Sequence, residues 1–161
     1  MSHLARYMRT HLAGSSAGVD LFDRAAKGLP EPAAAEVRRI QRELVEERKS
    51  LRRMMKALGV HENPVFNLAT KTGERIARLK PNGDLLHRTA MTDLTELEAM
   101  VIAVSGKHAG WESLLAVADH EPRLDRAELR RLRDQARDQR KTLRRLHAEA
   151  AARALVPGRS S

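Results

Sequence analysis

The sequence predicts an all-α fold, a four-helix bundle built from two antiparallel helix pairs joined by one long crossover between the second and third helices. Three observations carry that expectation. Ala, Leu, Arg and Glu dominate, β-branched residues are few, and the only aromatics are Tyr7, Phe22, Phe66 and Trp111, which is helix-forming composition. Apolar residues recur every three to four positions along four long segments, the period of one helix face. Glycine and proline divide those segments, leaving short first and last connections and a long central one.

Helix 1 is expected over 3–27. Leu4, Met8, Leu12, Val19, Phe22 and Ala26 form its stripe, Ser15 interrupts it, and Gly28 with Pro30 closes it. Helix 2, over 33–58, opens beside Pro32, carries Val37, Ile40, Leu44, Leu51 and Leu58 on one face, and stops at Gly59. About five residues join the two, so they must lie antiparallel. Asn63-Pro64 then reads as a cap and first turn, and Val65, Leu68, Ile76 and Leu79 continue at helical spacing. This predicts a crossover helix over 64–79, ended by the turn Pro81-Asn82-Gly83.

Helix 3 is expected over 90–119, with Leu94, Leu97, Val101, Val104, Trp111 and Leu115 on its seam. Its middle, Ala99 to Val104, is apolar all round and predicts the most buried helix. Helix 4 is expected over 125–155. It follows Pro122, opens with an Asp125/Glu128 capping box, and carries Leu129, Leu132, Ala136, Leu143 and Leu146. The connection between helices 2 and 3 is about thirty residues. Helix 2 spans about 39 Å at 1.5 Å per residue, a distance such a connection can cover. Residues 1–156 therefore read as one domain and 157–161 as a disordered tail.

A chain of 161 residues can bury a continuous core without cross-links. Cysteine is absent, which removes disulfides and thiolate metal sites. No apolar run reaches the roughly 20 residues of a membrane helix, and no export signal is read at the start, so a cytoplasmic protein without membrane partners is expected. The formal charge of +9 suits an anionic partner, and it equally suits an Arg-rich composition without functional meaning.

With two antiparallel pairs and a long crossover, the chain resembles the uncharacterised bacterial members of the ferritin-like superfamily. The resemblance implies that a di-iron member would carry an inward Glu on two helices and Glu-x-x-His on the other two. Helix 1 has no Glu, and its acids are Asp20 and Asp23. Three residues after Glu43, Glu46 and Glu47 stand Glu46, Lys49 and Ser50, so helix 2 offers no Glu-x-x-His. Helix 4 has no histidine before His147. The di-iron set is missing, and no metal or other cofactor is expected.

Polar residues nevertheless interrupt each seam near mid-helix: Ser15, Glu47, His108 and Gln139, with His11 close by. At similar heights they predict a buried polar layer. Glu47, His108, His11 and Gln139 are thus candidate ligand-binding residues, with Glu47 expected to face His108, and the alternative is a hydrogen-bond network that fixes helix register. The run Gly14-Ser15-Ser16-Ala17-Gly18 lies inside a helical pattern, and its small residues are expected to let a neighbouring helix or subunit approach closely.

Helix 4 carries a marked excess of arginine, and Arg130, Arg137 and Arg144 are candidate phosphate contacts for non-specific nucleic-acid binding. No nucleophile or phosphate-loop motif is present. The leading expectation is a non-catalytic bundle acting through protein contacts, with itself or another partner. A divergent ligand-binding bundle and a nucleic-acid binder are the alternatives.

Overall fold

A computed structural model of the protein describes residues 2–62 and 88–156. Among the described residues the chain forms four helices and no strands: α1 (His3–Gly28), α2 (Ala33–Ala57), α3 (Ala90–Val117) and α4 (Arg126–Leu155). The expected crossover helix over 64–79, its Asn63-Pro64 start, its Pro81-Asn82-Gly83 end and the tail 157–161 lie outside the described residues.

The helix ends follow from local chemistry. Ser2 caps α1 by accepting from the Ala5 N–H at 3.2 Å. Thr89 and Thr92 cap α3 reciprocally, each side chain accepting from the other's backbone N–H. Asp125 caps α4, accepting from Ala127 and Glu128 at 2.8 and 3.1 Å. Each bond satisfies an N–H that the first helical turn leaves open. The Glu128 side chain does not complete the expected capping box; it accepts from Arg53 of α2 at 2.9 Å. At the end of α2, Gly59 adopts φ 69°, so that Val60 N–H reaches Met55 O at 2.8 Å and Gly59 N–H reaches Lys56 O at 3.0 Å. That is a Schellman closure, and its left-handed position is one glycine fills without a side-chain clash.

α1 packs on α2 and α3, and α4 packs on α3 and α2. Contacts at the ends give the directions. Arg9 near the start of α1 donates to His61 O just past α2, while Arg38 near the start of α2 donates to Ala26 O near the end of α1. Early Glu36 of α2 meets late Arg145 of α4, and late Arg53 meets early Glu128. Arg88, ahead of α3, stands against Gly28 at the end of α1. It also pairs with Asp93 and Glu96, both at 2.7 Å, fastening the first turns of α3 there.

The apolar core falls into two clusters. One gathers Phe22, Val37, Ile40, Leu97, Met100 and Leu143 among others, and the second gathers Met8, Leu51, Met55, Trp111, Leu129 and Leu132 among others. Along the chain the break falls between Leu12 and Leu21, Leu44 and Leu51, Val104 and Trp111, and Ala136 and Leu143. The apolar stripe of each of the four helices is interrupted there, which creates the middle zone described next. α3 is not buried all round as its composition predicts. Ile102 is 47% exposed, and Met91 and Val117 are also exposed.

Candidate functional site

Three side chains from three helices fill part of the break in the core. Lys107 Nζ of α3 donates to Glu47 Oε2 of α2 and to Gln139 Oε1 of α4. Gln139 Nε2 donates to Glu47 Oε1 and to Glu43 Oε2, both at 2.8 Å. Glu47 is 3% exposed and Gln139 1%. Both ends of the amide and both carboxylate oxygens of Glu47 are therefore engaged, as a buried polar group requires. Glu43 in turn pairs with Arg39 at the surface. Burial pushes the Lys107 ammonium below the usual lysine range, and the charge and hydrogen bond of Glu47 oppose that shift.

Beside this cluster lies a cavity of about 250 Å³ walled by α1, α2 and α3, with a mostly apolar lining. Phe22, Leu44 and Leu51 contribute to that apolar wall, and Ile102 borders the cavity, which gives its exposed position a setting. Its width comes from glycine. A Cβ built on Gly14, Gly18 or Gly106 meets no neighbouring atom of the described residues within 4 Å, although Gly18 is buried. Among the described residues no neighbouring helix comes into close contact with Gly14 or Gly18.

Gly110 behaves differently, because a Cβ there would stand 2.8 Å from His11 Cε1. The imidazole is thus set against the α3 backbone, with its ring centre 4.6 Å from that of Tyr7. Burial lowers the His11 pKa below the ordinary histidine value.

Two residues of this wall carry unmet hydrogen-bonding capacity. Arg48 Nε and Trp111 Nε1 are the buried side-chain polar atoms without a partner among the described residues. Both residues line the cavity. Burial lowers the Arg48 pKa first and the Arg52 charge lowers it further, while Glu62 and Asp20 oppose.

Of the residues singled out from the sequence, Glu47 and Gln139 come together, and His11 and Ser15 line the adjoining cavity. Ser15 Oγ donates to Leu12 O at 2.6 Å. The partner of Glu47 is Lys107, whereas His108 Nδ1 lies 3.3 Å from Glu112 of its own helix. On α4, Arg130, Arg137 and Arg144 are all exposed; Arg137 lies within 3.6 Å of Asp134 and 3.9 Å of Asp138. Among the described residues no three His, Cys, Asp or Glu side chains gather in a group able to hold a metal ion. None of the described helices is long and apolar enough to cross a membrane.

The sequence reading did not single out Lys107, Arg48 or Trp111 as site residues. For Lys107 the signal was present, since it sits three residues after Val104 and four before Trp111, as compatible with the seam as His108. Comparison with protein-family models, with curated proteins and with solved structures finds no match.

Proposed function

We propose that this chain is a ligand-binding helical bundle that holds a small, largely apolar molecule in the cavity between α1, α2 and α3. The observation that carries the reading is the placement of Gly14, Gly18 and Gly106 inside helices, each beside space that no atom of the described chain fills. A glycine in a helix interior costs roughly 1 kcal/mol relative to alanine. Packing among the described residues gives no return for that cost, because none of their atoms comes within 4 Å of a Cβ built on these glycines. A retained, mostly apolar cavity with a few polar groups is the usual form of a small-molecule site.

Ferritin-like connectivity is part of the same proposal. α1 runs antiparallel to both α2 and α3, and α4 runs antiparallel to both as well, so α2 and α3 run the same way. A link from Leu58 to Thr89 that reverses no direction must travel the length of the bundle, which supports a long crossover. In this reading the polar layer and cavity occupy the mid-bundle level where ferritin-like relatives place metals, with a lysine in place of a ligand set.

The test uses the chain's one tryptophan, which lies in the cavity wall. Titration of the purified protein with 1-octanol is expected to give a saturable change in Trp111 fluorescence, with matching heat in calorimetry. Gly14→Leu and Gly106→Leu, confirmed helical by circular dichroism, are expected to lose it. Unchanged binding in both filled variants would remove the cavity from the reading.

A second reading follows from charge. The sequence of α4 holds ten Arg and Lys against four Asp and Glu, and Arg130 and Arg144 make no ion pair with described residues. That face suits phosphates, and its test is the salt dependence of duplex DNA binding, which must steepen with the number of phosphates neutralised.

A further inference from the structure

We infer that the molecule held in the cavity carries a carboxylate, received by the Arg48 guanidinium and the Trp111 indole N–H. The inference rests on the cavity being a ligand site, and it adds the chemistry of the ligand's head.

The buried polar side-chain atoms of the wall that lack a partner are of one kind. Arg48 Nε and Trp111 Nε1 lack partners, and both are donors. Trp111 is 4% exposed, so its N–H has no free access to bulk water. The carboxylate nearby is already engaged. Glu47 receives Lys107 and Gln139, one on each oxygen. A ligand that brings donors would compete with Lys107 for Glu47 and leave both orphan N–H groups unmet. A wholly apolar ligand would also leave them unmet, at a cost of about 1–3 kcal/mol for each buried group. A ligand that brings acceptors satisfies them.

Charge narrows the class further. Lys107 and Glu47 cancel, and His11 is held toward its neutral form by burial. Arg48 then remains as the uncompensated charge of the wall: Asp20 and Glu62 act on it only through their fields, and no carboxylate of the described residues forms an ion pair with it. One guanidinium matches a monoanion, and a carboxylate suits its planar donors. With a cavity of about 250 Å³ and an apolar lining, the ligand is a short apolar carboxylic acid.

The experiment compares octanoate, 1-octanol and octylamine on the full chain by calorimetry, so that the tail is constant and only the head changes. Octanoate is expected to bind at least about tenfold more tightly than 1-octanol, the margin of one charge-assisted hydrogen bond. Arg48→Gln is expected to bring octanoate affinity down to that of 1-octanol, and retained 1-octanol binding shows that the cavity is intact. Trp111→Phe keeps the ring, removes the N–H, and is expected to weaken octanoate several-fold more than 1-octanol. Equal binding of octanoate and 1-octanol, or octanoate binding untouched by Arg48→Gln, overturns the carboxylate inference and leaves the cavity reading standing. Preference for octylamine overturns it as well. Absence of binding by all three probes overturns both.

Discussion

Lys107 of α3 donates to Glu47 of α2 across the break in the core, forming the most buried ion pair among the described residues. A buried pair is far more sensitive to losing one partner than to losing both. Lys107→Met is therefore expected to lower unfolding free energy by about 3 kcal/mol, because Glu47 keeps its burial and loses its counter-ion. The double variant Glu47→Gln/Lys107→Met is expected to recover a large part of that loss. Urea unfolding of the two singles and the double measures the coupling, and simple additivity of the singles would contradict the burial argument.

The glycines of the cavity divide into two kinds. Gly14→Ala and Gly106→Ala are expected to stabilise the protein by up to about 1 kcal/mol each, since the helix gains propensity and the new methyl meets no neighbouring atom of the described residues within 4 Å. Gly110→Ala is expected to destabilise it, because the methyl would press on the His11 ring from 2.8 Å. Melting temperatures of the three variants decide this, and a drop for Gly14→Ala would show that the space beside it is needed by the fold itself.

Much of the architecture was readable because helix signals are local. Gly28-Leu29-Pro30 marks where α1 stops, Gly59 where α2 stops, and Asp125 where α4 starts, each through a backbone or capping preference that needs no tertiary context. The polar layer was readable as a gap in each seam. Its membership was not, for a reason of geometry. Lys107 and His108 flank the Val104–Trp111 line on opposite sides, and only the position of α2 and α4 selects the side on which Glu47 and Gln139 wait. The longer lysine stem makes that reach. The cavity was hidden for a related reason: mid-helix glycine signals either close contact or empty space, and interhelical distance alone separates Gly110 from Gly14.

Acidification tests His11. Its folded pKa lies below the ordinary value of 6.5, so the unfolded chain takes up the proton first as pH falls. The associated stability is fully present above about pH 6.5 and declines as pH drops from there toward the folded value. His11→Gln is expected to flatten this part of the profile, read as urea midpoints between pH 7.5 and 5. An unchanged slope in the variant would assign the acid sensitivity to other groups.

The cap of α4 makes a separate prediction. Asp125 accepts from two backbone N–H groups, and Asp125→Ala is expected to cost about 1 kcal/mol in urea unfolding. Asp125→Asn or Asp125→Ser should restore most of it. A loss that neither replacement restores would mean that Asp125 acts through something other than its cap.

No residue of α4 lines the cavity, and the helix joins the polar cluster beside it only through Gln139. Its outer arginines and the cavity wall are therefore separate territories in one small molecule. Substitutions along the outer face of α4 change the charge presented there without touching any residue that lines the cavity. Selection can tune the two surfaces independently, with Gln139 as the position where they are not free of each other.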